Sequence, residues 1–196
     1  MRRVKVLHVI GQMNAGGAET WLLHVLRRLD PERFETDLLV HSSEPGLYDE
    51  EVKRLGARLI PCPPPNRPLA YARRLRRILE RYGPYDVIHS HLHHLSGLVL
   101  RVGRSCSVPV RIAHSHNDTR SVDAGSSWAR RFYLWLAKRW IRAYATAGWA
   151  VSPEAAAALF GPTWREDRRW RVLPCGIDLA PFLASVSRNA VRAEFD

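Results

Sequence analysis

The run HVIGQMNAGGAET, His8 through Thr20, decides how the rest of the chain is read. An apolar, strand-like segment from Val4 to Ile10 stops at Gly11, passes two adjacent glycines, Gly16 and Gly17, and opens into a segment with helical spacing. Ala18, Trp21, Leu22, Val25, Leu26 and Leu29 recur at three-four intervals, with Arg27 and Arg28 on the opposite face. Strand, glycine turn and helix in that order is how an α/β unit begins.

The same rhythm continues outward. Strand-like runs fall at Phe34 to Val40, Arg58 to Cys62, Asp86 to Ser90, Val110 to Ala113, Ala147 to Val151 and Trp170 to Leu173. Helical patterns separate them at Leu47 to Leu55, Leu69 to Tyr82, Leu95 to Arg104, Trp128 to Tyr144 and Pro153 to Phe160. Several strand runs are continuously apolar, as parallel strands covered on both faces must be. The pattern predicts an α/β fold: a doubly wound, mainly parallel, Rossmann-like sheet of about seven strands with helices on both faces. The 196 residues suffice for one large core. Pro61, Pro63, Pro64 and Pro65 read as a stiff loop after a strand. After "VLPCGIDLAPF" the chain opens another helix-like segment, so the expected organisation is one domain over 1–182 and, over 183–196, a linker into a further domain.

Composition bounds the partners. Lys and Arg exceed Asp and Glu by 11, nearly all of it arginine, which speaks to anionic surfaces rather than to fold. Cys62, Cys106 and Cys175 fit neither a CxxC nor a zinc spacing, which suits a reduced setting. Met1-Arg2-Arg3 runs directly into Val4-Lys5-Val6-Leu7, too short and polar for a signal segment, and no apolar run has membrane-spanning length. The expectation is a cytoplasmic chain, free to lie peripherally on the inner face of a membrane. Two stretches carry that possibility, "RRLRRILERY" (Arg73 to Tyr82) and "WARRFYLWLAKRWIRAY" (Trp128 to Tyr144), which mix cations with bulky apolar residues. The alternative is that the arginines solvate ordinary helices whose aromatic side packs on the sheet. Nucleic acid is not expected, because no recognition module is visible and the aromatics sit at core-like spacing.

In a parallel sheet, ligands bind beyond the carboxyl ends of the strands. This sequence places there Gly11 to Gly17, "HSHLHH" (His89 to His94), "HSHND" (His114 to Asp118), "SPE" (Ser152 to Glu154) and "PCGID" (Pro174 to Asp178). The glycines do not spell a dinucleotide fingerprint, and the second strand ends in Val40-His41-Ser42-Ser43 without a ribose-binding acid. A Walker loop fails too, since Gly17-Ala18 stands where Lys and a hydroxyl residue belong. Two readings remain for Gly16 and Gly17: an anion site at a helix N-terminus, or a tight turn that uses glycine for its backbone freedom. His89, His91 and His93 alternate, as do His114 and His116, so each set can share a strand face. Zinc or iron would want carboxylate or cysteine company, and only Asp118 and Asp123 are near in sequence, so no metal and no cofactor are expected. A functional, unmetallated histidine is the reading carried forward.

These motifs together resemble the N-terminal half of family 4 retaining glycosyltransferases, which have the GT-B fold. The resemblance rests on "VLHVI" followed by "GGAE" (Gly16 to Glu19), "PYDVIHSH" (Pro84 to His91), "VPVRIAHSHN" (Val108 to Asn117), "AVS" (Ala150 to Ser152) and "VLPCGIDLAPF" (Val172 to Phe182). "RIAHSHN" is similar to the capsular and exopolysaccharide branch. The resemblance implies two Rossmann-like domains facing across a cleft, the N-terminal one holding the acceptor and the C-terminal one a UDP- or GDP-sugar donor. It implies hexose transfer to a saccharide or polyprenyl-linked acceptor in surface polysaccharide synthesis. Gly16 and Gly17 then approach the donor diphosphate, and His116 lies by the transferred sugar as the catalytic candidate, with His114 inside the strand as the weaker one. Asn14, Glu19, His91 and Asn117 fall on the acceptor side.

Two departures stand out. Cys175 occupies the place of the asparagine in the usual NGID turn, and the family's E-x7-E pair is absent, since no two glutamates here are so spaced. The implied partner is therefore a C-terminal donor-binding domain, without which little activity is expected. A non-catalytic acceptor-binding subunit of a split enzyme, and an epimerase-like enzyme acting on nucleotide-sugars, are the competing functions.

Overall fold

The computed structural model describes residues 2–63, 67–183 and 192. Seven strands form one sheet: β1 (Val4–Ile10), β2 (Phe34–Val40), β3 (Arg58–Pro61), β4 (Val87–Ser90), β5 (Val110–Ser115), β6 (Ala147–Ala150) and β7 (Trp170–Val172). Their spatial order is β3-β2-β1-β4-β5-β6-β7, and every neighbouring pair is parallel. The chain thus builds outward from β1 in one direction, then returns to β4 and builds in the other. That reversal is the topological switch point of a doubly wound sheet, and it lies between β1 and β4.

Helices connect the strands: α1 (Gly17–Leu26), α2 (Asp49–Arg54), α3 (Pro68–Tyr82), α4 (Ser96–Ser105), α5 (Arg120–Ala124), α6 (Trp128–Tyr144), α7 (Pro153–Phe160) and α8 (Ala180–Leu183). Two cores lie on the two sides of the sheet, divided by the alternation of strand side chains. Leu7, Val9 and Leu39 join Tyr71, Leu75 and Leu79 of α3, Val99 and Leu100 of α4 and Ile141 of α6. Ile10, Leu38 and Val40 join Leu22, Leu23 and Leu26 of α1 and Val52 of α2.

Local chemistry explains several boundaries. Pro68 begins α3, where its missing N–H costs nothing. In α7, Pro153 follows Ser152, whose hydroxyl accepts from the Ala155 N–H, so the serine of "SPE" is a helix cap rather than a rim ligand. Gly161, at φ +98°, closes the same helix in a conformation that favours glycine. At α4, a Cβ on Gly97 would stand 2.5 Å from the Ala137 carbonyl oxygen, so glycine is what lets α4 and α6 approach.

The two arginine-rich helices differ. In α3 the apolar residues Leu75, Ile78 and Leu79 are buried on the sheet while Arg73, Arg74, Arg76 and Arg77 face water, so its apolar side is spent on the core. In α6 only Leu134, Ala137 and Ile141 are buried, and Trp128, Phe132 and Trp135 are exposed. Of the α6 aromatics, Tyr144 packs against the core while Trp128, Phe132, Tyr133 and Trp135 do not, contrary to the core-like reading of their spacing. No helix among the described residues is long and apolar enough to cross a membrane. Of the stretch after residue 182, 184–191 and 193–196 lie outside the described residues, as do Pro64 and Pro65 of the proline loop.

Candidate functional site

At the carboxyl-terminal ends of β1, β4 and β5, five imidazoles converge, His8, His89 and His114 within the strands and His91 and His116 just past them. His8 and His89 are register partners across the β1–β4 pair, at the switch point itself. His91 follows two residues after His89, and His116, just past β5, two residues after His114, so the period of two puts all of them on one face. His8 Nδ1 lies 3.1 Å from His91 Nε2, and His91 Nδ1 lies 3.0 Å from His116 Nε2. Beside this chain, His89 Nε2 lies 3.2 Å from His114 Nδ1. Trp21 of α1 roofs the group, its ring 5.0 Å from His114 and 5.8 Å from His116, and Trp149, in register with His114, closes the side.

Burial fixes the protonation state. Desolvation lowers His8 to about 4, His114 to about 3 and His116 to about 4, and holds His89 and His91 well below the ordinary histidine value. All five are neutral at pH 7, so each ring offers one donor and one acceptor. His116, the most open of them, lies at the mouth; His91 stands behind it with both nitrogens engaged. His91 therefore opens to the mouth only through His116.

The other anticipated residues sit around this mouth. Gly16 caps α1 in extended backbone, which any residue can adopt, so the tight-turn explanation of its glycine does not hold. A Gly16 Cβ would meet only the carboxylate end of the Glu19 side chain, which can swing aside. A Cβ on Gly17 meets nothing within 4 Å, so the fold imposes no demand at that position. The Gly16 N–H donates to the Asn14 carbonyl, leaving the first-turn N–H groups of α1 as the donors of the turn. Asn14 uses its side-chain oxygen to accept from the Leu47 N–H, which ties the two rim loops together, while Asn117 is exposed at the rim.

His93 does not join the alternating row. It sits at φ +48° in a short 3-10 turn, His93–Leu95, and turns toward a second, smaller site. There His94 Nε2 lies 3.0 Å from Asp123 Oδ2, and the Thr119 hydroxyl donates to the same carboxylate at 2.7 Å. Asp118 pairs with Arg120 instead. The two aspartates considered as company for the histidine row are thus committed elsewhere. A pocket of 370 Å³ opens here, lined among others by His93, His94, Asp118, Asp123, Arg130 and Tyr133. Among the described residues, both ring nitrogens of His93 and His94 Nδ1 are buried without a hydrogen-bond partner, and Asp123 Oδ1 has only the Arg130 guanidinium, 3.6 Å away. Positive φ on a bulky residue and unpaired polar atoms are costs that a fold tolerates mainly at binding sites.

Neither His8 nor the His94–Asp123 pair was visible beforehand. Recognising His8 requires the β1–β4 register, and His94 and Asp123 are joined only by tertiary contact.

A model of the glycosyl transferase 4-like domain matches residues 16–176. The chain is 38% identical over 180 residues to EpsF of Bacillus subtilis (strain 168), named as a glycosyltransferase, covering 91% of this chain and 46% of that protein. It is 29% identical over 111 residues to the capsular polysaccharide biosynthesis glycosyltransferase CapH of Staphylococcus aureus, covering 57% and 30%. Among solved structures, Anabaena Alr3699/HepE in complex with UDP and glucose superposes with a TM-score of 0.72 at 16% identity, over 98% of this chain and 50% of that one. The chain spans about half the length of these solved and curated relatives or less.

Proposed function

The chain belongs to the glycosyl transferase 4-like domain family, and from that premise we propose that it is the acceptor-side half of a retaining glycosyltransferase of capsule or exopolysaccharide synthesis. A C-terminal half holds the UDP- or GDP-hexose, and the two meet over the mouth formed by Gly16, Gly17 and His116. The observation that carries this reading is the position of the histidine row: it stands at the switch point of the sheet, beside a helix N-terminus whose Gly17 has no packing reason to be glycine.

The roles follow from the chemistry of the transfer. The bond from the sugar's anomeric carbon to the diphosphate breaks as the acceptor oxygen bonds to the same face of that carbon, and the acceptor's proton leaves with the diphosphate. Charge grows on the departing phosphate, and the first-turn N–H groups of α1, at the positive end of its dipole, offset it. Neutral His116 has Nε2 against His91, which leaves Nδ1 to hydrogen-bond a sugar hydroxyl. The His93–His94–Asp123 pocket, with its unpartnered donors and acceptors, suits a hydroxyl-rich acceptor and extends the acceptor side beyond Asn117.

The exposed face of α6 supports a polyprenyl-linked acceptor. Trp128, Phe132 and Trp135, with Arg131 and Arg139, lie along one side of the helix, an arrangement suited to anionic membrane surfaces.

The deciding experiment is His116→Ala in the two-domain enzyme. Turnover should fall far more than donor affinity; wild-type turnover ends the assignment.

A further inference from the structure

The row of five histidines is more than a single hydrogen-bonding residue requires. We propose that His91, His114 and His116 form a binding site for one divalent transition-metal ion of the zinc class, with His8 and His89 as the outer imidazoles that orient two of the ligands.

Hydrogen-bond polarity allows three of these rings to face one ion. A neutral imidazole binds a metal through its unprotonated nitrogen and keeps a proton on the other. His91 presents Nδ1 to His116 Nε2 at 3.0 Å, while its Nε2 can donate to His8 Nδ1 at 3.1 Å. His114 can donate from Nδ1 to His89 Nε2 at 3.2 Å, and its Nε2 is buried with no hydrogen-bond partner among the described residues. One assignment of protons therefore leaves His91 Nδ1, His114 Nε2 and His116 Nε2 as three lone pairs on neighbouring rings, and the second nitrogens of His91 and His114 each held by a further imidazole. Metal-ligating histidines as a rule donate their second N–H to an outer acceptor, usually a carboxylate, carbonyl or water, and here a neutral imidazole nitrogen fills that place.

Distance and chemistry agree. One ligand nitrogen from each of the three residues lies within 4.8 Å of the others. Zinc–nitrogen bonds of about 2.0–2.1 Å in a tetrahedron set ligand nitrogens about 3.3 Å apart, so an ion enters with small side-chain movements. Three imidazoles suffice as a protein ligand set and leave a fourth position open. The absence of a carboxylate, which argued against a metal in the sequence, thus carries no weight once His8 and His89 are seen to supply the outer support. The donor type selects zinc, cobalt, nickel or copper over magnesium or calcium. His8, His89 and His91 form a second close set, but it is wholly buried and shares His91. The outer set alone includes the partly exposed His116, through which an ion can arrive. This inference does not depend on the sugar-transfer reading.

The test uses the full chain, stripped with chelator and titrated with Co²⁺. The expected result is one Co²⁺ per chain with the visible absorption of tetrahedral coordination, displaced by Zn²⁺. His116→Gln should weaken binding at least on the order of a hundredfold, the upper range already seen for loss of an outer partner. His24→Gln, on the outer part of α1, should leave it unchanged. No tetrahedral band, or a band that survives His116→Gln, overturns the proposal. If His116→Gln does not fold, imidazole ¹H–¹⁵N spectra of the wild type decide. Zn²⁺ should move the ligand nitrogens of His91, His114 and His116, and shifts confined to other histidines overturn it.

Discussion

Gly17→Ala separates what the fold needs from what the site needs. Gly17 is the first residue of α1, is exposed, and has no atom within 4 Å of where a Cβ would stand. Alanine is favoured over glycine in helices by up to about 1 kcal/mol, so the substitution should be neutral or mildly stabilising. In a domain of this size 1 kcal/mol moves Tm by roughly 2–4 °C, which sets the ceiling for the expected rise. If the turn faces the donor diphosphate, the added methyl group occupies the space through which phosphate reaches the first-turn N–H groups. Loss of one such contact in the transition state costs about 3 kcal/mol, on the order of a hundredfold in kcat. The assay is nucleoside diphosphate release by the two-domain enzyme, beside a thermal melt of the same preparation. Full turnover in Gly17→Ala refutes the placement of phosphate at this turn. A lowered Tm refutes the packing argument, because the lost activity would then trace to the fold.

Gly97→Ala should destabilise by roughly 1–3 kcal/mol in a urea melt, since its Cβ would meet the Ala137 backbone oxygen of α6, which cannot rotate away. His41, hydrogen-bonded to the Tyr71 hydroxyl at 2.9 Å and held at about 4 by burial, binds fewer protons folded than unfolded between pH 6.5 and 4. Its share of stability is therefore present above pH 6.5 and lost as pH falls toward 4, and urea midpoints of His41→Phe should depend less on pH than those of wild type over that range. Asp123→Asn should raise KM for acceptor while sparing KM for donor, as initial-rate kinetics would show, if the pocket where His94 and Thr119 hold its carboxylate takes the acceptor as proposed. Arg131→Gln with Arg139→Gln should cut sedimentation with anionic vesicles about thirtyfold, at about 1 kcal/mol per cation, and leave neutral vesicles unaffected.

Which parts of the fold could be read from sequence follows from which signals are local. Helix α6 runs from Trp128 to Tyr144 and α7 from Pro153 to Phe160, as expected, because serines at 127 and 152 cap them through side-chain oxygens. Strand β2 keeps its expected bounds although Glu35, Thr36 and Asp37 interrupt its apolar residues, because Leu38, Leu39 and Val40 are buried on both faces of the sheet. By contrast β5 runs on to Ser115, past the expected end at Ala113, because His114 is wholly buried and behaves there as a flat, neutral ring. A reading that counts histidine as polar ends the strand too soon. The short α5 was missed as well: five residues with none buried leave no periodicity to detect.

The same property of histidine explains why the rim was legible while its interior was not. Along the face shared by β1 and β4, register pairs Val6 with Val87, and then His8 with His89 two residues on. The face thus passes from aliphatic to imidazole in the direction of the carboxyl ends, where β5 contributes His114 and the chain beyond it His116. Aliphatic residues would pack this face as well, and one catalytic histidine at the mouth needs no file of rings behind it. Buried polar groups are tolerated when they hydrogen-bond one another, and here they do so in an order that ends on the free Nε2 of His114 and the outward Nδ1 of His116. The row is therefore organised toward whatever occupies the mouth. Substituting His8, three rings from that mouth, should alter the His116 nitrogen resonances without touching a ligand, whereas an inert packing role would leave them where they are.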